Sequence, residues 1–86
     1  MTGMVRENDL VAIFHSIHRI MKAEKVLKNA GADFLLIPVP RQLSSDCGLA
    51  IRYPAAERER IEAILHQAQL LPAELFRREG KEYHRL

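Results

Sequence analysis

Residues 10–39, LVAIFHSIHRIMKAEKVLKNAGADFLLIPV, decide the fold because they hold a strand, a helix and a second strand. Leu10–His15 is a short apolar run rich in β-branched residues, which favours a strand buried on both faces. Ser16 follows it, and a serine there can accept an N–H from the first turn of a helix. Gly31 is placed to end that helix, because glycine readily adopts the left-handed conformation of a helix C-terminus.

The helix between Ser16 and Gly31 has one apolar side. Residues spaced to lie on one face of a helix form this side: Ile20, Ala23, Leu27 and Ala30. Basic residues are expected to face water: Arg19, Lys22, Lys25 and Lys28.

Prolines and polar residues separate the elements that follow. Phe34–Val39 predicts a strand at an edge of the sheet, because Pro38 has no N–H to donate to a neighbouring strand. Arg41–Gly48 is polar and predicts a loop. Leu49–Tyr53 is again mainly apolar and predicts a third strand.

The last third of the chain predicts a helix and a weaker strand. Residues 54–68 begin with proline and place apolar residues three and four apart, and Pro72 ends this helix. Glu74–Arg78 predicts a fourth strand, and the residues after it either extend this strand or turn back at Gly80 as a short hairpin. The apolar face of the helix consists of Ile61, Ile64, Leu65 and Ala68.

The order of elements, β-α-β-β-α-β, predicts an α+β, ferredoxin-like fold with a four-stranded antiparallel sheet and two helices on one face. Residues 1–86 are expected to form a single domain, with residues 1–8 as a flexible N-terminus. The face of the sheet without helices is expected to bury its apolar side chains against a second copy, which predicts a homodimer.

Charge and cysteine content restrict the partners and the compartment. The 86 residues contain 13 Lys and Arg against 11 Asp and Glu, and a net charge of +2 is too weak to favour nucleic acid or an anionic membrane. The single cysteine cannot form an intrachain disulfide and suits a reducing cytoplasm. Neither a signal peptide nor an apolar run near the ~20 residues of a membrane-spanning helix is visible.

The predicted topology gathers polar residues at one rim of the sheet, because the start of the third strand lies beside the ends of the first two. A helix N-terminus and nearby cations would stabilise a thiolate there. The alternative is that the cysteine is a buried small hydrophobe. The residues expected at this rim are His15, Ser16, His18, Arg41, Ser44, Ser45, Cys47 and Gly48.

Two other chemistries have weaker support. His15 and His18 form an H-x-x-H pair, but zinc requires three or four ligands and no fourth ligand is plainly placed, so no metal or other cofactor is predicted. Hydroxyls, a thiol and histidine suggest a nucleophile and a base, but the sequence identifies no acid that would orient the histidine.

Three motifs carry a resemblance to a known family. Residues 14–18 fit F-x-S-x-H, residues 23–27 fit A-E-K-x-L, and residues 40–48 fit P-R-x-L-S-x-x-C-G. From Phe14 to Ile51, the chain resembles a small bacterial family described as selenium/sulfur carrier protein-like. The third motif is the most specific, since it fixes the spacing of a rigid proline, a cation, a hydroxyl and a thiol.

The resemblance implies a carrier rather than an enzyme. Cys47 would carry sulfur or selenium as a persulfide or selenopersulfide, and Arg41, Ser44 and His18 would stabilise the anion. A donor such as a cysteine desulfurase would supply the cargo, and an unknown acceptor protein would receive it. The alternatives are a ferredoxin-like module that binds a small anion or regulates without covalent chemistry, and a docking subunit of an enzyme.

Overall fold

The computed structural model describes residues 5–43 and 48–86, which form an α+β arrangement of two α-helices and a five-stranded antiparallel sheet. The strands are β1 (Leu10–Ile13), β2 (Leu35–Pro38), β3 (Leu49–Tyr53), β4 (Glu74–Glu79) and β5 (Glu82–Arg85). The helices are α1 (Ile17–Asn29) and α2 (Arg58–Gln67), with a short 3₁₀ turn, Ala55–Glu57, before α2. None of the helices in these two ranges is long and apolar enough to cross a membrane.

The strands follow the order β2-β3-β1-β4-β5, so β1 lies at the centre of the sheet. Ile13 pairs with Ala50 of β3 on one side and with Glu74 of β4 on the other. The prediction of four strands is wrong, because the chain turns back at Gly80 and adds β5. Gly80 has a positive φ of 64°, which suits a tight two-residue turn.

Helix α1 begins and ends where the sequence predicts. The Oγ of Ser16 accepts a hydrogen bond from the N–H of Arg19 at 3.3 Å. Gly31 has a φ of 71°, and its N–H donates to the carbonyl of Lys28. The next N–H, that of Ala32, donates back to Leu27, which completes a Schellman motif.

Helix α2 ends with the same motif but without glycine. Gln69 has a φ of 58° and donates its N–H to the carbonyl of His66. The N–H of the buried Leu70 donates to Leu65 at 2.8 Å. The helix therefore stops at Gln67, before the predicted end at Pro72, because the left-handed residue and the burial of Leu70 turn the chain.

Replacing Gln69 by glycine is expected to stabilise the protein by about 0.5–1 kcal/mol. A residue with a Cβ atom loses roughly 1–2 kcal/mol of stability in the left-handed conformation, and glycine avoids this loss. Glycine in turn lowers the free energy of unfolding by about 0.4–1 kcal/mol, because the unfolded chain has more freedom. Urea denaturation measures the free energy of unfolding. Ala63→Gly, at an exposed position inside α2, is the control and should destabilise by about 1 kcal/mol. A loss of stability in both variants would refute the explanation.

Strand β1 is shorter than the predicted Leu10–His15. It ends at Ile13, and His15 has a φ of 54°, which is outside the extended range. The chain therefore turns sharply between β1 and Ser16, and the side chain of His15 lies at the rim of the sheet.

Both helices pack against the same face of the sheet. Most buried residues of this face come from both helices and from the strands β1 and β3: Leu10, Ala12, Ile20, Ala23, Leu27, Ile51, Tyr53, Ile61 and Leu65. Phe14, after β1, and Leu70, after α2, complete the cluster.

The opposite face has its own buried cluster, formed by Val11, Ile13, Ile37 and Ala50. Residues from within the same chain contribute to this cluster or pack against it: Val5, Val39, Leu43, Phe76 and Tyr83. The described structure therefore lacks the open apolar face that suggested a homodimer, and the dimer stays a prediction without this support.

A buried ion pair lies at the start of β1, at the rim opposite to His15. Asp9 is only 4% exposed, and its Oδ2 lies 3.2 Å from Nη1 of Arg52. The same oxygen accepts the N–H of Arg6 at 2.8 Å. Asp9 thus joins the segment before the sheet to β3.

Candidate functional site

A cleft of about 470 Å³ opens at the rim where β1 and β2 end and β3 begins. Apolar side chains form much of its wall, among them Ile13, Val39 and Leu43. Its polar lining comes from the turn after β1, the start of α1 and the first residue of β4: His15, Ser16 and Glu74.

Gly48 brings the start of β3 to this cleft. Its carbonyl accepts the N–H of Val39 at 3.0 Å, which extends the pairing of β2 and β3 by one residue. On the other side, Ile13 pairs with Ala50, so Gly48 is level with His15 when the register is continued by two residues. The lining of the cleft includes both Gly48 and His15.

Cys47, Ser44 and Ser45, three of the sequence-predicted site residues, lie outside the described residues. The described residues on either side of this segment, Leu43 and Gly48, both line the cleft. Both ends of the segment that holds the cysteine therefore lie at this cleft.

Ser16 caps α1 and also lines the cleft. The first N–H groups of a helix have no partner within the helix, and they form the positive end of its dipole. The start of α1 therefore contributes partial positive charge to this rim, and this charge favours an anion.

His15 and Glu74 form a polar pair in the cleft, with Nε2 of His15 only 2.6 Å from Oε2 of Glu74. Nη1 of Arg85 lies 3.2 Å from the other carboxylate oxygen, Oε1. The carboxylate of Glu74 thus accepts hydrogen bonds from Arg85, on β5, and from His15, in the turn after β1. This is the arrangement of an acid that orients a histidine, which the sequence alone did not identify.

Glu74 is the residue of this site that sequence reasoning missed. It lies 59 positions from His15, and only the pairing of β1 with β4 brings the two together. The one signal in the sequence is that Glu74 opens the predicted fourth strand. Without the strand order, that signal does not connect it to His15.

His18 and Arg41 are not among the described residues that line this cleft. His18 is exposed and contributes to a second cleft, between α1 and the end of α2, together with Lys22 and Lys25. Arg41 is exposed in the turn after β2. Of the residues expected at this rim that the structure describes, the cleft brings together His15, Ser16 and Gly48.

Comparison with known proteins identifies the family. Residues 9–77, from the start of β1 into β4, match the family described as "Putative Se/S carrier protein-like". The chain belongs to this family. The match spans both helices and every residue that lines the cleft, and it includes the position of Cys47. No curated protein and no solved structure matches the chain.

Proposed function

We propose that the protein carries sulfur or selenium on Cys47 as a persulfide or a selenopersulfide, and that it is a carrier rather than an enzyme. The family supports a carrier role in general terms. The observation that carries the proposal is the cleft, because Leu43 and Gly48 line it on either side of the cysteine segment. The same cleft holds a histidine paired with a carboxylate and the N-terminus of α1.

The transfer needs one thiolate. The thiolate of Cys47 attacks the terminal sulfur of a persulfide on the donor, and a new S–S bond forms as the donor's S–S bond breaks. The electron pair of the broken bond leaves on the donor cysteine as a thiolate. The reverse type of attack, by a thiolate of the acceptor, removes the sulfur from Cys47. No net oxidation occurs in the exchange.

The His15–Glu74 pair supplies a group that can take the thiol proton. A neutral His15 that donates Nε2–H to Glu74 has Nδ1 as an acceptor. Once protonated, His15 remains paired with the carboxylate and adds positive charge to that of the helix N-terminus. Both charges favour the thiolate before transfer and the persulfide anion after it.

The proposal assigns partners and a compartment. A cysteine desulfurase is the class of protein that generates a transferable persulfide, and an acceptor protein with its own thiol would receive the sulfur. The lone cysteine supports a reducing cytoplasm as the compartment of this exchange. The homodimer remains a prediction about the assembly state.

We also propose that β1 to β4 and the two helices form a ferredoxin-like unit to which β5 is added. The order β2-β3-β1-β4 supports this, since β3 lies between β1 and β2 and runs antiparallel to both. The two β-α-β connections then each cross one intervening strand.

Incubation with a cysteine desulfurase and cysteine tests the function. The wild type is expected to gain the mass of one sulfur, lost again on reduction, whereas Cys47→Ala gains none. The double variant Cys47→Ala/Lys81→Cys is the control, since it presents an exposed thiol in the hairpin turn at the opposite rim.

Equal loading of that control and the wild type would mean that any accessible thiol accepts sulfur, and it would contradict a dedicated site. Absence of loading on the wild type would favour the non-covalent, anion-binding function instead.

A further inference from the structure

The outer face of α1 carries a cationic stripe. His18, Lys22 and Lys25 are four and three residues apart, which places them on one side of the helix, and all three are exposed. They line the second cleft, of about 540 Å³, whose described lining contains no acidic residue. The one acidic residue of α1, Glu24, is half-buried.

Exposed apolar side chains border this stripe. Ile17 is 59% exposed and Met21 is 44% exposed, both on α1. Leu71, 50% exposed, is held next to the helix because Nη2 of Arg19 donates to its carbonyl at 3.3 Å. Three of the five large hydrophobic residues that are exposed in the described chain therefore lie around one helix.

We propose that this face of α1, defined by Ile17, His18, Met21, Lys22, Lys25 and Leu71, docks an acidic surface of the protein that donates the sulfur. The inference rests on the proposed carrier function and names how its donor is recognised. Cations at the centre match acidic groups, and apolar side chains at the border supply contact area.

The position of the face gives the docking a purpose. Ile17 belongs to it and also lines the cleft next to the cysteine segment. A donor bound to α1 is therefore held at the mouth of that cleft, where its persulfide needs to reach only a short distance.

The chemistry of the face favours a protein over RNA. Recognition of single-stranded RNA relies on several aromatic side chains on which bases stack, and among the defining residues of this face only His18 has such a ring. The net charge of +2 is also small for a nucleic-acid-binding domain.

Binding of the Cys47→Ala protein to a purified cysteine desulfurase at low salt tests the docking, because this variant binds without sulfur transfer. Adding Lys22→Glu and Lys25→Glu is expected to weaken the complex by about tenfold or more, through like-charge repulsion. The control, Arg6→Glu and Lys81→Glu, makes the same change in net charge at exposed positions near the opposite rim. It should bind like the parent, and circular dichroism checks that α1 stays folded.

Equal weakening in the two charge-reversed variants, or no binding of the parent, would overturn the docking proposal. Binding of a 20-nucleotide RNA probe that competes with the desulfurase and depends on Lys22 and Lys25 would overturn it in favour of RNA. None of these outcomes bears on whether Cys47 gains sulfur, so the carrier function is judged separately by mass.

Discussion

Replacing His15 by asparagine is expected to slow the alkylation of Cys47 at neutral pH by about a hundredfold, the low end of what a positioned general base contributes. Asparagine tolerates the positive φ of 54° at this position better than most residues, so the fold should persist. Without the imidazole, the described cleft has no histidine to take the proton of the thiol. The rate of reaction with iodoacetamide between pH 5 and pH 10 measures the effect.

The shape of the pH profile separates a proton-transfer role from a structural one. The alkylation rate of the His15→Asn variant should rise with pH as that of an ordinary thiol does, with a pKa of ~8.5. Cys47 of the wild type should still react at lower pH. Glu74→Gln should give an intermediate loss, because Glu74 acts by positioning His15 through the 2.6 Å contact.

Two histidines serve as controls for this experiment. Nε2 of His84, on β5, lies 3.4 Å from Oε1 of Glu79, and neither residue belongs to the described lining of the cleft. A hydrogen bond from Arg77 lowers the pKa of Glu79. His84→Asn therefore removes an exposed histidine–carboxylate pair of the same kind without touching the site. His18→Asn tests the histidine that the sequence favoured. A full rate in His15→Asn, or a loss confined to His18→Asn, would show that the His15–Glu74 pair is not the base.

Replacing Asp9 by alanine is expected to lower the free energy of unfolding by about 3–5 kcal/mol, since it leaves the charge of the largely buried Arg52 side chain without its partner. The side chain of Arg52 is only 17% exposed, and its Nε is buried without a hydrogen-bond partner among the described residues. The variant also loses the acceptor for the N–H of Arg6. Because a small domain has only about 5–15 kcal/mol of stability, urea denaturation should show a large shift of the midpoint.

Three further variants, Asp9→Asn, Arg52→Met and the double variant Asp9→Ala/Arg52→Met, identify the cause of that loss. Asp9→Asn keeps an oxygen that can accept the N–H of Arg6 but removes the negative charge, so its cost should be smaller. In the double variant Asp9→Ala/Arg52→Met the unpaired charge is gone, and much of the stability should return. A double variant whose cost equals the sum of the two single changes would show that the ion pair does not couple the two residues.

The parts of the fold that the sequence predicted well have local causes. Ser16 and Gly31 bound α1 through hydrogen bonds within a few residues of each other. The mainly apolar run Leu49–Tyr53 predicted β3 with its observed bounds. Such signals do not depend on the rest of the chain.

The errors have causes that are not local. Gln69 adopts the left-handed conformation because Leu70 is drawn into the core, and a glutamine in the sequence gives no sign of this. The charged residues after Gly80 have little preference for strands, so the sequence left β5 undecided. It pairs because β4 offers an edge.

The site shows the same division. The position of Gly48 beside the end of β1 followed from the predicted order of strands. The prediction of His18 beside the cysteine segment overlooked a local signal. The helical spacing of α1 groups His18 with Lys22 and Lys25, on the side of the helix that lines the second cleft. The pairing of His15 with Glu74 needed the observed register of β1 and β4.

The two edge strands determine how copies of this chain can associate. The edge strand β2 is four residues long and ends in Pro38, which has no N–H to offer to another strand. The other edge, β5, is equally short and carries Glu82, His84 and Arg85. A sheet that continues from one copy to the next, as in amyloid-like fibres, would have to desolvate these charges or pair with a proline. Crowded copies of the protein are thus kept from templating one another.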